Sequence, residues 1–251
     1  LFPSVDRYRE IAEAARHEVQ ALREAARTDQ LTGLLNRNGF EAALRQLVRE
    51  LPAGSKLVLL WLDLRGFRQV NSNLGHAVGD EVLRSTARRI AQAASGGSVI
   101  GRFASDKFLL AAPLATRGDA ERLGETIART CAEPLRIEGH RIAGGAWLGA
   151  ALLPDDGSMA EALLPAADLA LHHARSTGRT ALRFFTPAMT REAARKKEIE
   201  ADLRTALQRD ELSIYFQPII DLTSGRIRAF EALARWFHPD KGELLPQEFI
   251  P

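Results

Sequence analysis

Leu57 to Leu64, LVLLWLDL, is the most apolar stretch of the chain, and only Asp63 interrupts it. The run has the length of a strand, and its apolar residues are continuous rather than alternating. That pattern belongs to a strand covered on both faces. Such a strand obliges the rest of the chain to supply helices for two sides of a sheet. Asn38 to Leu51 answers with Phe40, Leu44, Leu47 and Val48 at helical spacing, behind Thr28 and Asp29 as capping candidates. Val78 to Ala94 and Asp119 to Cys131 also read as helices, and Ser158 to Thr177 reads as a helix closed by Gly178. Between them, Val99 to Arg102 and Phe108 to Ala112 read as strands around a turn. His140 to Leu152 reads as a strand pair and Thr180 to Phe185 as a last strand. The alternation predicts an α/β domain over 28–185.

Two flanks remain. Tyr8, Ile11, Ala15, Val19, Leu22 and Ala26 mark an amphipathic helix within 1–27. Its apolar stripe needs the following domain or a partner helix, and a homodimer through this helix is the expected arrangement. Residues 186–210 read as a connecting helix. In 211–251, Leu212 to Asp221 and Arg226 to Trp236 are strand-like runs joined by a Thr223-Ser224-Gly225 turn, too short a stretch for an independent core. A start at Leu1 and an end at Pro251 are expected of a piece of a longer protein. A single cysteine, Cys131, rules out an internal disulfide or a thiolate zinc site, so a cytoplasmic setting is expected. The near balance of 34 basic and 32 acidic residues gives no reason to expect a nucleic-acid partner. No apolar run approaches the roughly 20 residues that span a bilayer, so no membrane contact is expected within this segment, although a longer protein would have room for an anchor upstream.

Asp63 closes the apolar strand, where a buried scaffold presents a carboxylate to a ligand, and where a turn or helix cap also takes an acid. Asp106 lies in the turn between two predicted strands. If the fold brings the pair together it can hold Mg²⁺, which favours few carboxylates plus substrate phosphates; spacing alone leaves both readings open. His76 is expected to be packed and hydrogen-bonded, the adjacent His172 and His173 diverge on a helix, and Cys131 and Trp61 read as core.

The segments TDQLTGLLNRNGF from Thr28, LDLRGFRQVNSNLGHAVGD from Leu62, GRFASDKF from Gly101 and ADLALHHARSTGR from Ala167 resemble, in order and spacing, the GGDEF family of diguanylate cyclases. YFQPIIDL from Tyr215, EALARW from Glu231 and LPQEFIP from Leu245 are similar to the opening of an EAL domain, a cyclic-di-GMP phosphodiesterase. The resemblance implies a fold like the palm of nucleotide cyclases, a central, mostly antiparallel sheet with surrounding helices. It implies that Asp63, the carbonyl of Leu64 and Asp106 hold weakly bound Mg²⁺ in a vestigial site, with Asp106 also a vestigial catalytic acid. It also implies that Asn71 and Asp80 meet the guanine edge of GTP, that Arg175 and Arg179 lie near its phosphates, and that Arg68 is a further nucleotide-binding residue. In the EAL part it makes Glu231 a metal ligand of an incomplete site, and Gln217 and Arg235 contacts to cyclic-di-GMP. The remainder of an EAL domain is then an expected partner.

The chain departs from the family where the chemistry is densest. Ala104, Ser105, Asp106, Lys107 and Phe108 stand in place of Gly, Gly, an acid, Glu and Phe. Two Cβ atoms enter where the triphosphate passes, and a cation replaces an acid that no ammonium can imitate as a metal ligand. Arg65 and Ser72 replace further acids, and Ser95 to Ser98 occupy the place of the family's Arg-x-x-Asp product-inhibition site. The expectation is a catalytically inactive GGDEF domain, acting as a regulatory, GTP-binding module for an adjoining EAL phosphodiesterase. The alternatives are a pure dimerisation module and a weakly active cyclase.

Overall fold

The computed structural model describes residues 26–94, 96–178 and 181–250. All but the last two residues of the expected N-terminal helix, together with Ser95, Arg179 and Thr180, lie outside them. Contacts divide the chain after Thr186 into two units.

In the first unit, α1 (Arg37–Glu50) leads into β1 (Lys56–Leu64), followed by α2 (Phe67–Ala93), β2 (Val99–Ala104), β3 (Lys107–Leu114) and α3 (Arg117–Ala132). Then come β4 (Leu135–Ile137), β5 (His140–Ile142), β6 (Ala146–Leu153), α4 (Ala160–Thr177) and β7 (Leu182–Phe184). Five strands form one sheet in the order β2-β3-β1-β6-β7, antiparallel throughout except for the β6/β7 edge. This is the expected α/β architecture. β1 is the central strand, and every residue from Leu57 to Leu64 is buried. Its even positions Val58, Leu60 and Leu62 meet α2 and α3 through Val78, Val82, Ile90, Ala120 and Ile127. Its odd positions Leu57, Leu59 and Trp61 meet α1 and α4 through Phe40, Leu44, Leu163 and Leu171. A leucine buried this fully contributes about 1.5–3 kcal/mol, so two-sided coverage is what makes the run worth its length.

Several boundaries differ from the sequence expectation for identifiable reasons. Thr28 and Asp29 do not cap α1. Asn36 does, its side chain accepting from Gly39 N at 3.0 Å, while Asp29 is taken up by Thr32 and Arg102. The helix expected from Val78 starts at Phe67, because Gly75 (φ 83°, ψ 167°) breaks the periodicity midway. The His140 to Leu152 segment holds two strands that do not pair with each other: β5 pairs with β4, and β6 with β1 and β7. His76 is exposed rather than packed. Cys131 is buried, and burial pushes its thiol up to about 12.

The second unit comprises α5 (Pro187–Ala206), a 3-10 turn (Leu207–Arg209), β8 (Leu212–Ile220), β9 (Ile227–His238), β10 (Gly242–Leu244) and α6 (Pro246–Phe249). β8 and β9 form the expected hairpin, and β10 adds a third strand that the sequence reading did not identify. Trp236, fully buried, anchors a small core with Ile199, Ala206, Leu244 and Phe249. Its indole donates to Glu211 at 2.9 Å.

At Gly149 on β6, an added Cβ would sit 2.1 Å from the Ala167 carbonyl and 2.2 Å from the Leu171 amide of α4. The helix therefore lies directly on the strand backbone. Gly149→Ala is expected to force α4 away from the sheet and lower stability by about 3 kcal/mol, read as a fall in the urea midpoint. Cys131 is expected to resist a thiol reagent at pH 8 in the native chain and to react at once in denaturant, because the thiolate is the reactive form.

Candidate functional site

Functional side chains gather at the C-terminal end of β1. Register places Lys107 of β3 and Trp147 of β6 opposite Asp63, one on each neighbouring strand. Directly opposed residues of antiparallel strands share a face, so Lys107, Asp63 and Trp147 form one row on the α4 side of the sheet. From the last turn of α4, Arg175 Nη1 donates to Asp63 Oδ2 at 2.7 Å. Next along the chain, the Arg65 guanidinium lies 3.4 Å over the Trp147 ring. Burial pushes the Asp63 carboxyl above the usual carboxylate range and the charge of Asp106 adds to this; Arg175 and Lys107 pull the other way without cancelling it. The two acids that the sequence singled out thus lie close enough to act on each other. The Leu64 amide donates to the Asp106 carbonyl at 3.1 Å, tying the end of β1 to the β2–β3 turn.

That turn contains Ser105 and Asp106 between the paired Ala104 and Lys107. Ser105 takes φ 35°, in the left-handed region where glycine is the usual occupant. Arg102 holds the turn from below, donating from Nε to the Ser105 carbonyl at 2.9 Å and from Nη1 to both carboxylate oxygens of Asp29 at 3.1 Å. Burial raises the Asp29 carboxyl, but hydrogen bonds from Thr32 and Arg102 outweigh it and hold it below the ordinary range. Sequence reasoning gave Asp29 only a capping role; its pairing with Arg102 bridges 73 positions and left no local signal.

Asn71 and Asp80 both lie on α2, on either side of the break at Gly75. Gly79 lies against Asn71, since a Cβ there would fall 1.9 Å from Asn71 Oδ1, and Asp80 is the next residue along the helix. That Asn71 oxygen is buried without a hydrogen-bond partner. Asp80 is half-buried in the wall of an open cleft of about 550 Å³, with Glu81, Arg84, Arg88 and Arg136. Arg68 is exposed in the first turn of α2, whose N-cap residue, Gly66, provides no side-chain cap. Arg179 lies outside the described residues.

The donor set at Asp63 does not fit a divalent metal. Among the described residues, Asp106 is the acid that acts on Asp63, Arg175 occupies one oxygen of Asp63, and Lys107 stands opposite. Among the described residues no group of three or more His, Cys, Asp or Glu is placed to hold a metal ion. In the second unit, Gln217 and Glu231 are direct cross-strand partners, and Arg235 follows on the same face of β9. Arg235 pairs with Glu243 at 3.2 Å. Glu231 is exposed, and among the described residues it belongs to no group of three or more side chains placed to hold a metal ion.

Asp29→Asn is expected to cost about 1–2 kcal/mol by removing charge-assisted bonds to Arg102. A carboxyl held below its unfolded value contributes stability that is present above that value and is lost as pH falls through the folded one. Acid titration of the urea midpoint should therefore show the gap between parent and variant closing as the pH falls below about 4.

Comparison with known proteins places this geometry in context. Residues 26–181 match the family model described as diguanylate cyclase, GGDEF domain, and residues 200–251 match the EAL domain. The cyclic di-GMP phosphodiesterase NbdA of Pseudomonas aeruginosa is 37% identical over 235 residues, which is 93% of this chain and 30% of that protein. The bifunctional diguanylate cyclase/cyclic di-GMP phosphodiesterase MucR of the same organism is 34% identical over 227 residues, covering 89% of this chain and 33% of that protein. The chain therefore spans about a third of the length of these relatives. Among solved structures, the GGDEF domain of TpbB (YfiN) from Pseudomonas aeruginosa superposes with a TM-score of 0.62 at 32% identity, over 65% of this chain and 97% of that one. With its sheet order, its β1 acid and its β2–β3 hairpin in place, the chain belongs to the GGDEF family, and it continues into the start of an EAL domain.

Proposed function

We propose that this chain belongs to a cyclic-di-GMP signalling protein in which the GGDEF domain binds GTP without cyclising it and regulates an adjoining EAL phosphodiesterase. One observation supports the reading: the residues that would recognise the base are kept, while the acids that would serve the reaction are met by cations. Asn71, packed against Gly79, and Asp80, the residue after Gly79, are both kept, whereas Asp63 faces Lys107 across the strand register and is bound by Arg175. An amide donor beside a carboxylate complements a purine edge that offers an acceptor together with N–H donors. The carboxylate can accept from two donors at once, and guanine has both an N1–H and a 2-amino group to give. Joining two nucleotides additionally requires charge stabilisation at the α-phosphate and deprotonation of the attacking hydroxyl. Two acids with two cations among them are poorly suited to either task.

The relatives support the phosphodiesterase side of the proposal, because NbdA carries that activity in its name. In this chain, Gln217 and Glu231 on one face of the β8–β9 hairpin are exposed, with Arg235 half-buried beside them, and the apolar side chains of Phe216, Ile219 and Phe230 are exposed as well. The remainder of an EAL domain is the proposed partner for that hairpin. Regulation then requires that GTP bind more tightly to one state of the joined protein than to another, since a ligand of equal affinity shifts nothing.

Incubated with GTP and Mg²⁺, the purified chain is expected to yield no cyclic dinucleotide by chromatography. Calorimetry is expected to show GTP binding that weakens about tenfold in Asn71→Ala or Asp80→Ala, the loss of one good hydrogen bond. ATP is expected to bind less well than GTP. Formation of product would overturn the inactive reading, and equal affinity of both variants and the parent would overturn the assignment of the base site.

A further inference from the structure

The end of β1 arrives with its charges already matched. Asp63 and Asp106 supply two negative charges, and Lys107 and Arg175 two positive ones. Arg175 is hydrogen-bonded to Asp63 at 2.7 Å, and Lys107 stands opposite Asp63 in the β1/β3 register. Mg²⁺ binds carboxylate and phosphate oxygens that other cations have not taken, and a fixed ammonium repels it. Phosphate oxygens have the opposite requirement. Arg175 gives one Nη1 to Asp63 and, with its side chain 55% exposed, retains further N–H donors that can bind a second anion. The Lys107 ammonium has three donors and takes part in none of the ion pairs among the described residues. It is half-buried at the foot of the Ser105–Asp106 turn, close enough to Asp63 to act on its carboxyl.

We infer that the phosphates of a bound guanine nucleotide are held directly by Lys107 and Arg175, without a divalent cation, so that Lys107 does the work of metal rather than blocking it. The inference rests on the nucleotide-binding reading above and deepens it: the ligand is the metal-free polyphosphate anion. Arg175 keeps its bond to Asp63 while its outer donors turn to phosphate, a bridging role that its planar fork permits. A nucleotide already complexed with Mg²⁺ offers these cations less negative charge and adds a like charge beside them.

The test is titration calorimetry of GTP into the full chain, once with excess EDTA and once with excess Mg²⁺. GTP is expected to bind at least as tightly in EDTA as in Mg²⁺. Lys107→Glu, which restores an acid, is expected to weaken binding in EDTA at least tenfold and to make the remaining affinity rise with Mg²⁺. If circular dichroism shows that variant to be misfolded, Lys107→Met keeps the apolar stem, and it is expected to lose affinity in EDTA by a similar factor. Binding of the parent chain that is more than tenfold tighter with Mg²⁺ overturns this inference and leaves the base-site assignment standing. Absence of binding in both media overturns the nucleotide reading and this inference with it. An unchanged affinity in EDTA for a folded Lys107 variant removes Lys107 from the phosphate site.

Discussion

A carboxylate at the end of a strand buried on both faces must be compensated, and this requirement organises the first unit. Asp63 is only 6% exposed. A charge removed from water to that extent is tolerated where hydrogen bonds and opposite charge replace the hydration it loses. In a site built for a divalent ion the metal supplies that compensation. Here the protein supplies it from within, through a guanidinium on α4 and an ammonium on β3. Burial, with the charge of Asp106 added, still outweighs both cations and holds the Asp63 carboxyl above the usual carboxylate range.

The position of Arg175 depends on packing far from its own side chain. α4 lies on β6 at Gly149 with no room for a methyl group, and Gly149 is paired with Trp61, two residues before Asp63 on β1. The distance between the last turn of α4 and the end of β1 is therefore set by backbone contact. The same close approach explains why packing on that face uses alanines as well as leucines: Ala160, Ala166 and Ala167 line the helix where it meets the sheet. A short-range ion pair and a helix–sheet spacing are thus one structural fact seen at two scales.

Much of this was legible in the sequence, and what was missed follows a pattern. The continuous apolar run announced β1 and its two covering layers, and Gly178 announced the end of α4. Asp63 and Asp106 were singled out as an acid pair, and the structure puts them within electrostatic reach of each other. Illegible were the features that depend on contacts between distant positions. The Asp29–Arg102 bridge, the Arg175–Asp63 bond and the separate partners of β5 and β6 are products of topology, which local periodicity does not encode. The first half of α2 was hidden for another reason: Gly75 takes φ 83° in the middle of it, so the apolar phase is lost although the helix resumes.

The β2–β3 turn shows how a motif can keep its shape after losing the residues that made the shape easy. Ser105 sits at φ 35°, where a side chain costs about 1–2 kcal/mol relative to glycine. The turn holds because it is fixed from both sides: Arg102 binds the Ser105 carbonyl, and the Leu64 amide binds the carbonyl of Asp106. Two hydrogen bonds of ordinary worth are enough to offset that strain. Backbone conformation and clearance are therefore separable requirements at this turn. The first survives in this chain through Arg102 and Leu64; the second depends on the absence of Cβ atoms, which no surrounding hydrogen bond can restore. At Ala104 and Ser105 the hairpin therefore presents a bulkier rim, and the charged groups set around it are Arg102, Asp106 and Lys107, two cations and one carboxylate.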